Sequence, residues 1–168
     1  MSQPHPDPAF TSLQCAVITV SDTRTAESDY SGQLMKHQLQ AQGHQILDYV
    51  IIPDDPKQII EQVSSLGSQS ELDVILCNGG TGIAPRDTTY DALATLLEKT
   101  LPGFGELFRF LSYQEIGSRA IASRAIAGIY NQKLIFSLPG SHKAVKLGLE
   151  RLILPEIVHL TGQLNRNA

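Results

Sequence analysis

Tryptophan is absent from the 168-residue sequence, and only two cysteines occur in it. Cys15 and Cys77 each lie within an apolar run and do not form a C-x-x-C pair, so the sequence indicates neither a zinc site nor a disulfide framework. Free cysteine is among the residue types that are most often buried. We therefore expect both thiols to lie in the protein core.

Long apolar runs are also missing from the sequence. No stretch approaches the roughly 18 apolar residues that a membrane-spanning helix requires. The first residues, MSQPHPDPAF, have neither the basic start nor the apolar centre of a signal peptide. We therefore predict a cytoplasmic protein that does not enter a membrane.

Excess positive charge is missing as well, because the formal net charge is −4. A broad nucleic-acid-binding surface needs a basic face, so we predict no nucleic-acid partner. The sequence also contains no G-x-x-x-x-G-K-[ST], G-x-G-x-x-G or G-x-S-x-G motif, which argues against a P-loop, a dinucleotide fingerprint and a hydrolase elbow. An anionic ligand would therefore have to be held by local groups.

Short apolar runs alternate with amphipathic stretches along most of the chain. The prolines near the N-terminus and the lack of periodicity predict a flexible arm at residues 1–11, and the length fits a single domain at residues 12–168. Strands are predicted at residues 13–20, 45–52, 72–78, 125–130 and 133–139. Helices are predicted at residues 31–42, 56–67, 88–99, 105–116 and 141–163, the last with a kink or an end at Pro155.

This alternation of strands and helices predicts an α/β fold. Several strands are apolar on both faces, which is typical of a mostly parallel sheet covered by helices on both sides. Asn131 and Gln132 separate the last two strands and predict a hairpin. In such sheets, ligands bind at the carboxyl ends of the strands. The loops that leave the strands are therefore the candidate site.

Four loops that each leave a strand and enter a helix are candidates for ligand binding: residues 21–32, 53–57, 78–89 and 139–143. Such loops direct free backbone N–H groups and the positive end of a helix dipole towards a ligand, which suits a phosphate or a carboxylate. Gly79, Gly80 and Gly82 would let the backbone approach that ligand closely. Any one such loop could be a plain connection, but four that converge on one edge favour a binding site.

The carboxylates in these loops divide into those with a structural role and those without one. Thr88 and Asp91 match a capping box, which would give Asp91 a structural role, and Asp55, which precedes a proline, matches a helix N-cap. Asp54 and Asp87 are left without such a role. Two carboxylates beside a phosphate site suit a magnesium ion, although each alone could be a solvated loop aspartate.

Positive charge for an anionic ligand could come from Arg86, Arg24 or Lys143, which all lie in the same loops. Arg86 is the strongest candidate, because it lies within the glycine-rich loop. The alternative is that Arg86 is a surface residue whose guanidinium group pairs with Asp87.

Five segments of the sequence, in this order, resemble the MoaB/MogA family of molybdenum cofactor biosynthesis, and the likeness is to its MoaB branch. They are TVSDTRTAESDYSG, IIPDD, NGGTGIAPRDTTYDAL, PGFGELFRFLSYQEIGSRAIASRAIAG and IFSLPGS, and they span about residues 13–153. Each segment alone is a weak signal, but the ordered set is specific. The resemblance implies a three-layer α/β/α sandwich, the molybdopterin-binding fold, assembled as a homotrimer or as a hexamer of two trimers.

The same resemblance implies an activity, the transfer of AMP from Mg-ATP to the terminal phosphate of molybdopterin with release of pyrophosphate. Asp54 and Asp87 match the family's functional aspartates, and would be catalytic residues and ligands of Mg2+. The alternatives are a non-catalytic molybdopterin carrier of the same pathway and a structural oligomer with vestigial loops. Other proteins of the pathway are further expected partners.

The resemblance also implies substrate-binding residues in four segments of the chain. They are Ser21, Asp22, Gly79, Gly80, Thr81, Gly82, Arg86, Gly103, Phe104, Glu106, Pro139, Gly140 and Ser141.

Apolar residues in AIASRAIAGIY and LILPEIVHL exceed the need of one small core, which favours an oligomer interface in these two segments.

Overall fold

The strands of the protein form one six-stranded sheet in a computed structural model that describes residues 11–165. The predicted flexible arm therefore lies, except for Thr11, outside the described residues. The strands are β1 (Gln14–Val20), β2 (Gln45–Ile52), β3 (Val74–Asn78), β4 (Lys99–Thr100), β5 (Ile126–Tyr130) and β6 (Lys133–Leu138). The helices are α1 (Tyr30–Ala41), α2 (Pro56–Gly67), α3 (Thr89–Leu96), α4 (Pro102–Ile116), α5 (His142–Gly148) and α6 (Leu154–Asn165).

The strand order β2-β1-β3-β6-β5-β4 places the parallel strands next to one another. β1, β2, β3 and β6 run parallel, whereas β5 and β4 extend the sheet beyond β6 with antiparallel pairing. Helices α1, α4, α5 and α6 cover one face of the sheet, and α2 and α3 cover the other. The predicted α/β fold, with three layers around a mostly parallel sheet, is confirmed.

Successive residues of β1 enter two different cores, which explains why this strand is apolar on both faces. Val17 packs on the side of α1 and α4, and Ile18 packs on the side of α2 and α3. Both cysteines are buried as expected, Cys15 in the first core and Cys77 in the second. Burial raises the pKa of both thiols to about 12, so they stay protonated and unreactive.

Two predicted helix boundaries near residue 100 are wrong. α3 ends at Leu96 instead of residue 99, and Lys99 pairs with β5. α4 begins at Pro102 instead of residue 105. A proline disfavours helical backbone at the residue before it and favours the first helical position, so Pro102 separates the two helices.

The predicted hairpin between β5 and β6 is confirmed. Asn131 and Gln132 have positive φ angles of 46° and 60°, which give the two-residue turn that fits the twist of antiparallel strands. The Asn131 amide group donates a hydrogen bond of 2.6 Å to the carbonyl of Gly67, and its backbone N–H donates one of 2.8 Å to Glu98. These bonds anchor the turn to the end of α2 and to the segment before β4.

The C-terminal helical region continues past Pro155, where the sequence predicts a kink or an end. A π-helical turn at Leu149–Ile153 precedes α6, and the N–H of Leu154 donates to the carbonyl of Leu149, five residues back. Proline lacks an N–H and clashes with the carbonyl four residues earlier, and the wider π turn makes room for it. Within residues 11–165, neither this region nor another helix is long and apolar enough to cross a membrane.

His44, the residue before β2, is a buried histidine whose ring accepts a hydrogen bond. The backbone N–H of Leu13 donates to its Nδ1 atom at 3.2 Å. Burial lowers the pKa of His44 below the ordinary value of 6.5, and the nearby Asp73 raises it in part. The folded protein therefore disfavours the imidazolium form.

We expect the free energy of unfolding to fall as the pH drops below about 6.5, because the unfolded chain then takes up a proton that folded His44 resists. In His44→Asn, an amide oxygen can accept from Leu13 but cannot be protonated, so this part of the decrease should vanish. Urea unfolding between about pH 7.5 and about pH 5.5 measures the effect. The exposed His37→Asn serves as the control, and equal pH dependence in the wild type and His44→Asn would contradict the prediction.

Candidate functional site

The carboxyl ends of β1, β2, β3 and β6 lie side by side at one edge of the sheet. Val20 pairs with Ile52 at the ends of β1 and β2, and Asn78 at the end of β3 pairs with both Thr19 and Leu138. The four loops predicted as ligand-binding follow these strand ends. The structure therefore brings them together, as parallel strands require.

Three cavities border these loops, and two of them share Gly80 and Asp87; the third, of about 540 Å³, is lined by Asp87, Pro56 and Arg124. The glycine-loop cavity has a volume of about 320 Å³, and the aspartate cavity has a volume of about 140 Å³. The predicted site residues in the glycine-loop cavity are Gly79, Gly80, Thr81, Gly82, Asp87, Pro139, Gly140 and Ser141. Those in the aspartate cavity are Ser21, Asp22, Asp54, Gly80, Arg86 and Asp87.

Only glycine fits two positions of the loop after β3. Gly79 and Gly80 have φ angles of 95° and 64°, in the region that side chains rarely adopt. A Cβ atom on Gly79 would collide with the carbonyl of Val20, and one on Gly80 would collide with the hydroxyl of Thr89 and press on Asp54. The glycines thus let the loop turn tightly beside the first and second strands.

Four successive N–H groups in this loop have no acceptor within residues 11–165, those of Gly80, Thr81, Gly82 and Ile83, and the first three residues line the glycine-loop cavity. The loop is nonetheless fixed, because the Gly79 N–H donates to the last carbonyl of β6 at 3.0 Å and the Gly80 carbonyl accepts from Thr89 at 3.0 Å. Successive free N–H groups on a fixed backbone form a concave site that suits an anion.

Asp54 has a structural partner that the sequence does not indicate. Its Oδ1 atom accepts hydrogen bonds from the backbone N–H of Thr88 at 2.9 Å and from the Thr88 hydroxyl at 2.7 Å. Its own N–H donates to Oδ1 of Asp22 at 2.9 Å. Asp54 therefore connects the loop after β2 with the start of α3.

The predicted capping box of Thr88 and Asp91 is wrong. The Thr88 hydroxyl makes no capping bond, because it donates to the carboxylate of Asp54. Asp91 instead accepts two hydrogen bonds of 3.0 Å from the guanidinium group of Arg124. The predicted N-cap at Asp55 is confirmed, because its side chain accepts from the N–H of Gln58.

Asp54 and Asp87 each keep one carboxylate oxygen that receives no hydrogen bond within residues 11–165. Asp87 Oδ2 accepts from the N–H of Ala84 at 3.0 Å, which leaves Oδ1, and Asp54 keeps Oδ2. In the same part of the chain, no three acidic, histidine or cysteine side chains are arranged to hold a metal ion by themselves. Mg2+ commonly binds through one or two carboxylates and the phosphates of its substrate, so the two free oxygens fit a metal that arrives with a nucleotide.

Arg86 is the cation of the aspartate cavity. It is exposed and, among residues 11–165, forms no ion pair with Asp87, so the alternative that it is a paired surface residue is not supported. Arg24 is engaged elsewhere, since it lies 3.4 Å from Asp29 and donates to the carbonyl of Gly140 at 2.7 Å. Lys143 lies on a separate surface groove with α5 side chains.

A buried carboxylate supports the wall between the first and last loops. Asp29 is fully buried and accepts hydrogen bonds from the hydroxyls of Thr19 at 2.6 Å and Tyr49 at 2.7 Å and from the N–H of Gly32 at 3.0 Å. Burial, followed by the hydrogen bond to Asp29, raises the pKa of Tyr49, so its hydroxyl remains a donor.

The α4 residues that we predicted for substrate binding do not line either cavity. Phe104 is buried in the core with its ring centre 5.3 Å from that of Phe136, Glu106 lines a separate cavity of about 250 Å³, and an added Cβ on Gly103 would meet no atom within 4 Å. The residues of α4 that line the glycine-loop cavity are Phe108, Ser112 and Ile116. Their spacing of four residues places them on one face of the helix, and this spacing is the feature of the sequence that could have identified them.

Comparison with known proteins places the whole site in a matched region. A model of the family described as a probable molybdopterin binding domain matches residues 16–159. Molybdenum cofactor biosynthesis protein B of Halalkalibacterium halodurans is 48% identical over 161 residues, which cover 95% of each chain. The match therefore includes β1 to β6 and all four loops.

Solved structures with the same fold include relatives of this protein. One crystal structure of a molybdenum cofactor biosynthesis protein B matches with a TM-score of 0.91 and 48% identity, over 95% of this chain and 99% of that one. The tungsten cofactor synthesizing protein MoaB from Pyrococcus furiosus matches with a TM-score of 0.84 and 37% identity, over 94% of this chain and 100% of its own.

We expect Gly80→Ala to lower the free energy of unfolding by about 1–3 kcal/mol, because a side chain at positive φ is strained and would collide with Thr89. Gly103→Ala is the matched control in the first turn of α4, where an added Cβ meets no atom within 4 Å. Its effect should stay within about 1 kcal/mol. Urea unfolding followed by circular dichroism measures both, and equal effects would contradict the prediction.

Proposed function

This chain belongs to the molybdopterin-binding family of molybdenum cofactor biosynthesis, in which its similar relatives are MoaB proteins, and on this premise we propose that it adenylylates molybdopterin. In that reaction, an oxygen of the terminal phosphate of molybdopterin attacks the α-phosphorus of ATP. A new P–O bond forms, the bond to the β-phosphate oxygen breaks, and pyrophosphate leaves. The observation that carries the proposal is that two cavities of different chemistry meet at Gly80 and Asp87.

The glycine-loop cavity suits molybdopterin and its phosphate. The free N–H groups of Gly80, Thr81 and Gly82 offer hydrogen bonds to phosphate oxygens without adding charge. Ile116, which is exposed, adds apolar surface to the same cavity, and Ser112 adds a hydroxyl, which together suit a heterocyclic ring with polar edges.

The aspartate cavity suits the phosphates of ATP. Arg86 supplies positive charge, and the free oxygens of Asp54 and Asp87 would hold Mg2+, which neutralises the phosphate charges of ATP when it is bound. Phosphoryl-type transfer needs mainly alignment and charge neutralisation from a protein. A cavity for the molybdopterin phosphate beside a cavity for the ATP phosphates would provide that alignment.

Asp87 is the residue common to both halves of the reaction. Because it borders both cavities, its free oxygen can hold the attacking phosphate in line, accept its proton or contribute to the metal site. Asp54 borders only the aspartate cavity, so its role would be on the nucleotide side.

A second candidate function is a non-catalytic molybdopterin carrier of the same pathway. It is favoured by one observation, namely that Asp54 has a structural role at Thr88 and so does not require a catalytic one. A carrier would bind molybdopterin with an affinity that ATP does not change.

We expect the wild type to form adenylylated molybdopterin and pyrophosphate from molybdopterin and Mg-ATP, and Asp87→Asn to lose at least about 10²-fold in rate. An asparagine oxygen can still accept from Ala84, so the loop and molybdopterin binding should be kept. Asp48→Asn, in the middle of β2, is the control. Product analysis by chromatography and molybdopterin titration by fluorescence measure the two effects.

Two results would decide against this proposal. Saturable molybdopterin binding without any product would support the carrier instead. Full activity of Asp87→Asn would exclude the role assigned to that carboxylate.

We also propose that the protein assembles as a trimer or as a hexamer of two trimers. Ile126 and Ile157 of the two segments predicted to form the interface are buried within the chain, whereas Ile121 of the first segment is exposed. Five of the eight large hydrophobic residues that are exposed among residues 11–165 lie on α4 and the turn after it: Leu107, Phe110, Tyr113, Ile116 and Ile121, which are 54–82% exposed. Exposed apolar side chains concentrated in one part of a chain commonly mark an interface.

We expect Phe110→Glu to shift the protein towards monomers, because a buried unpaired charge in an interface costs several kcal/mol. Leu47→Glu, which adds the same charge to an exposed apolar position on β2, should leave assembly unchanged. Sedimentation velocity measures the assembly of all three proteins. A monomeric wild type, or unchanged assembly of Phe110→Glu, would contradict the prediction.

A further inference from the structure

Arg124 holds both ends of the loop segment that carries Asp87. Its guanidinium group donates to the carbonyl of Gly82 from Nε at 3.1 Å and from Nη2 at 2.8 Å, and Nη2 also donates to the carbonyl of Asp87 at 3.2 Å. No other side chain among residues 11–165 bonds either carbonyl. Arg124 thereby ties the segment between these two carbonyls to the residues that precede β5.

The peptide between Asp87 and Thr88 is held from both sides. In a trans peptide, the carbonyl and the following N–H point in opposite directions. The Asp87 carbonyl accepts from Arg124, and the Thr88 N–H donates to Asp54 at 2.9 Å. The position of Asp87 relative to Asp54 therefore depends on this pair of opposed hydrogen bonds.

The remainder of the glycine loop does not depend on Arg124. Gly79 is tied to β6 and Gly80 to Thr89 by backbone hydrogen bonds of 3.0 Å. Loss of Arg124 should therefore displace the segment from the Gly82 carbonyl to Asp87 and leave the free N–H groups of Gly80 and Thr81 largely in place.

The guanidinium group is itself fixed on its outer side. Nη1 donates to both carboxylate oxygens of Asp91 at 3.0 Å, and the group lies 5.0 Å from the ring centre of Tyr90. These bonds to Asp91 and the loop use Nε, Nη1 and Nη2, which matches the planar fork of arginine. A lysine ammonium group cannot reach the same acceptors from one point.

We propose that Arg124 is a positioning residue that sets the place of Asp87 between the two cavities. The proposal rests on the adenylyltransferase function, because it assigns Arg124 to the alignment step of that reaction. The site must both align Asp87 and bind molybdopterin. The proposal assigns alignment to Arg124 and molybdopterin binding to the glycines and to α4.

The chain supplies an unusually close control for this proposal. The pentapeptide SRAIA occurs twice in succession, at residues 118–122 and 123–127. Arg119 occupies the same place in the first copy as Arg124 in the second, but it is exposed and makes no hydrogen bond or ion pair with a side chain of residues 11–165. Arg119→Ala thus removes an arginine from an identical local sequence without touching the loop.

We expect Arg124→Lys and Arg124→Ala to lower kcat by about 10²-fold, while the Kd for molybdopterin changes by less than about threefold. Hydrogen exchange of the backbone amides in residues 83–89 should become faster in both variants, because Thr88 loses its opposed partner. Arg119→Ala should match the wild type in all three measurements. Circular dichroism and thermal unfolding establish that the variants are folded.

The outcomes separate this proposal from the function on which it rests. A wild type that yields no adenylylated product refutes the function, and unchanged amide exchange in Arg124→Ala then overturns the role of Arg124 as well. With an active wild type, normal kcat in Arg124→Lys overturns the proposal. A parallel loss of kcat, molybdopterin affinity and thermal stability also overturns it, because it would indicate a general structural role.

Discussion

The buried carboxylate of Asp29 is the interaction on which the site depends. A charge taken out of water is costly unless hydrogen bonds satisfy it, and this carboxylate collects donors from β1, β2 and the first turn of α1. Arg24, which lies beside it, also donates to Gly140 in the loop after β6. Asp29 and Arg24 thus connect the loop after β1 with the loop after β6. This connection helps to fix the positions of the residues that line the cavities between the loops.

In Asp54 and in Asp87, one carboxylate oxygen has a structural role and the other is free for chemistry. Asp54 uses Oδ1 to hold Thr88 and keeps Oδ2 free, and Asp87 uses Oδ2 to close its own turn on Ala84 and keeps Oδ1 free. Each of the two aspartates therefore has both a structural oxygen and a free oxygen. The bonded oxygens hold the two side chains in place, and both side chains line the aspartate cavity.

The sequence predicted the sheet, the four loops and the N-cap at Asp55, because these follow from apolar periodicity and from neighbours in the chain. It did not predict the contact of Asp54 with Thr88, which joins residues 34 positions apart. The clearest limit is the repeated SRAIA. The first copy forms a 3-10 turn with Ile121 exposed, whereas the second enters β5 with Ile126 buried. Identical local sequences cannot encode this difference, which arises from pairing with β4 and β6.

Charge balance explains why the two cavities would accept different forms of phosphate. The aspartate cavity places three carboxylates, those of Asp22, Asp54 and Asp87, against one guanidinium group, that of Arg86. This excess of negative charge repels a free polyphosphate at short range and attracts one that carries a divalent cation. In the glycine-loop cavity, uncharged N–H groups can bind a phosphate without a cation. In the proposed reaction, the metal would therefore enter with the nucleotide, and the pterin phosphate would remain the nucleophile.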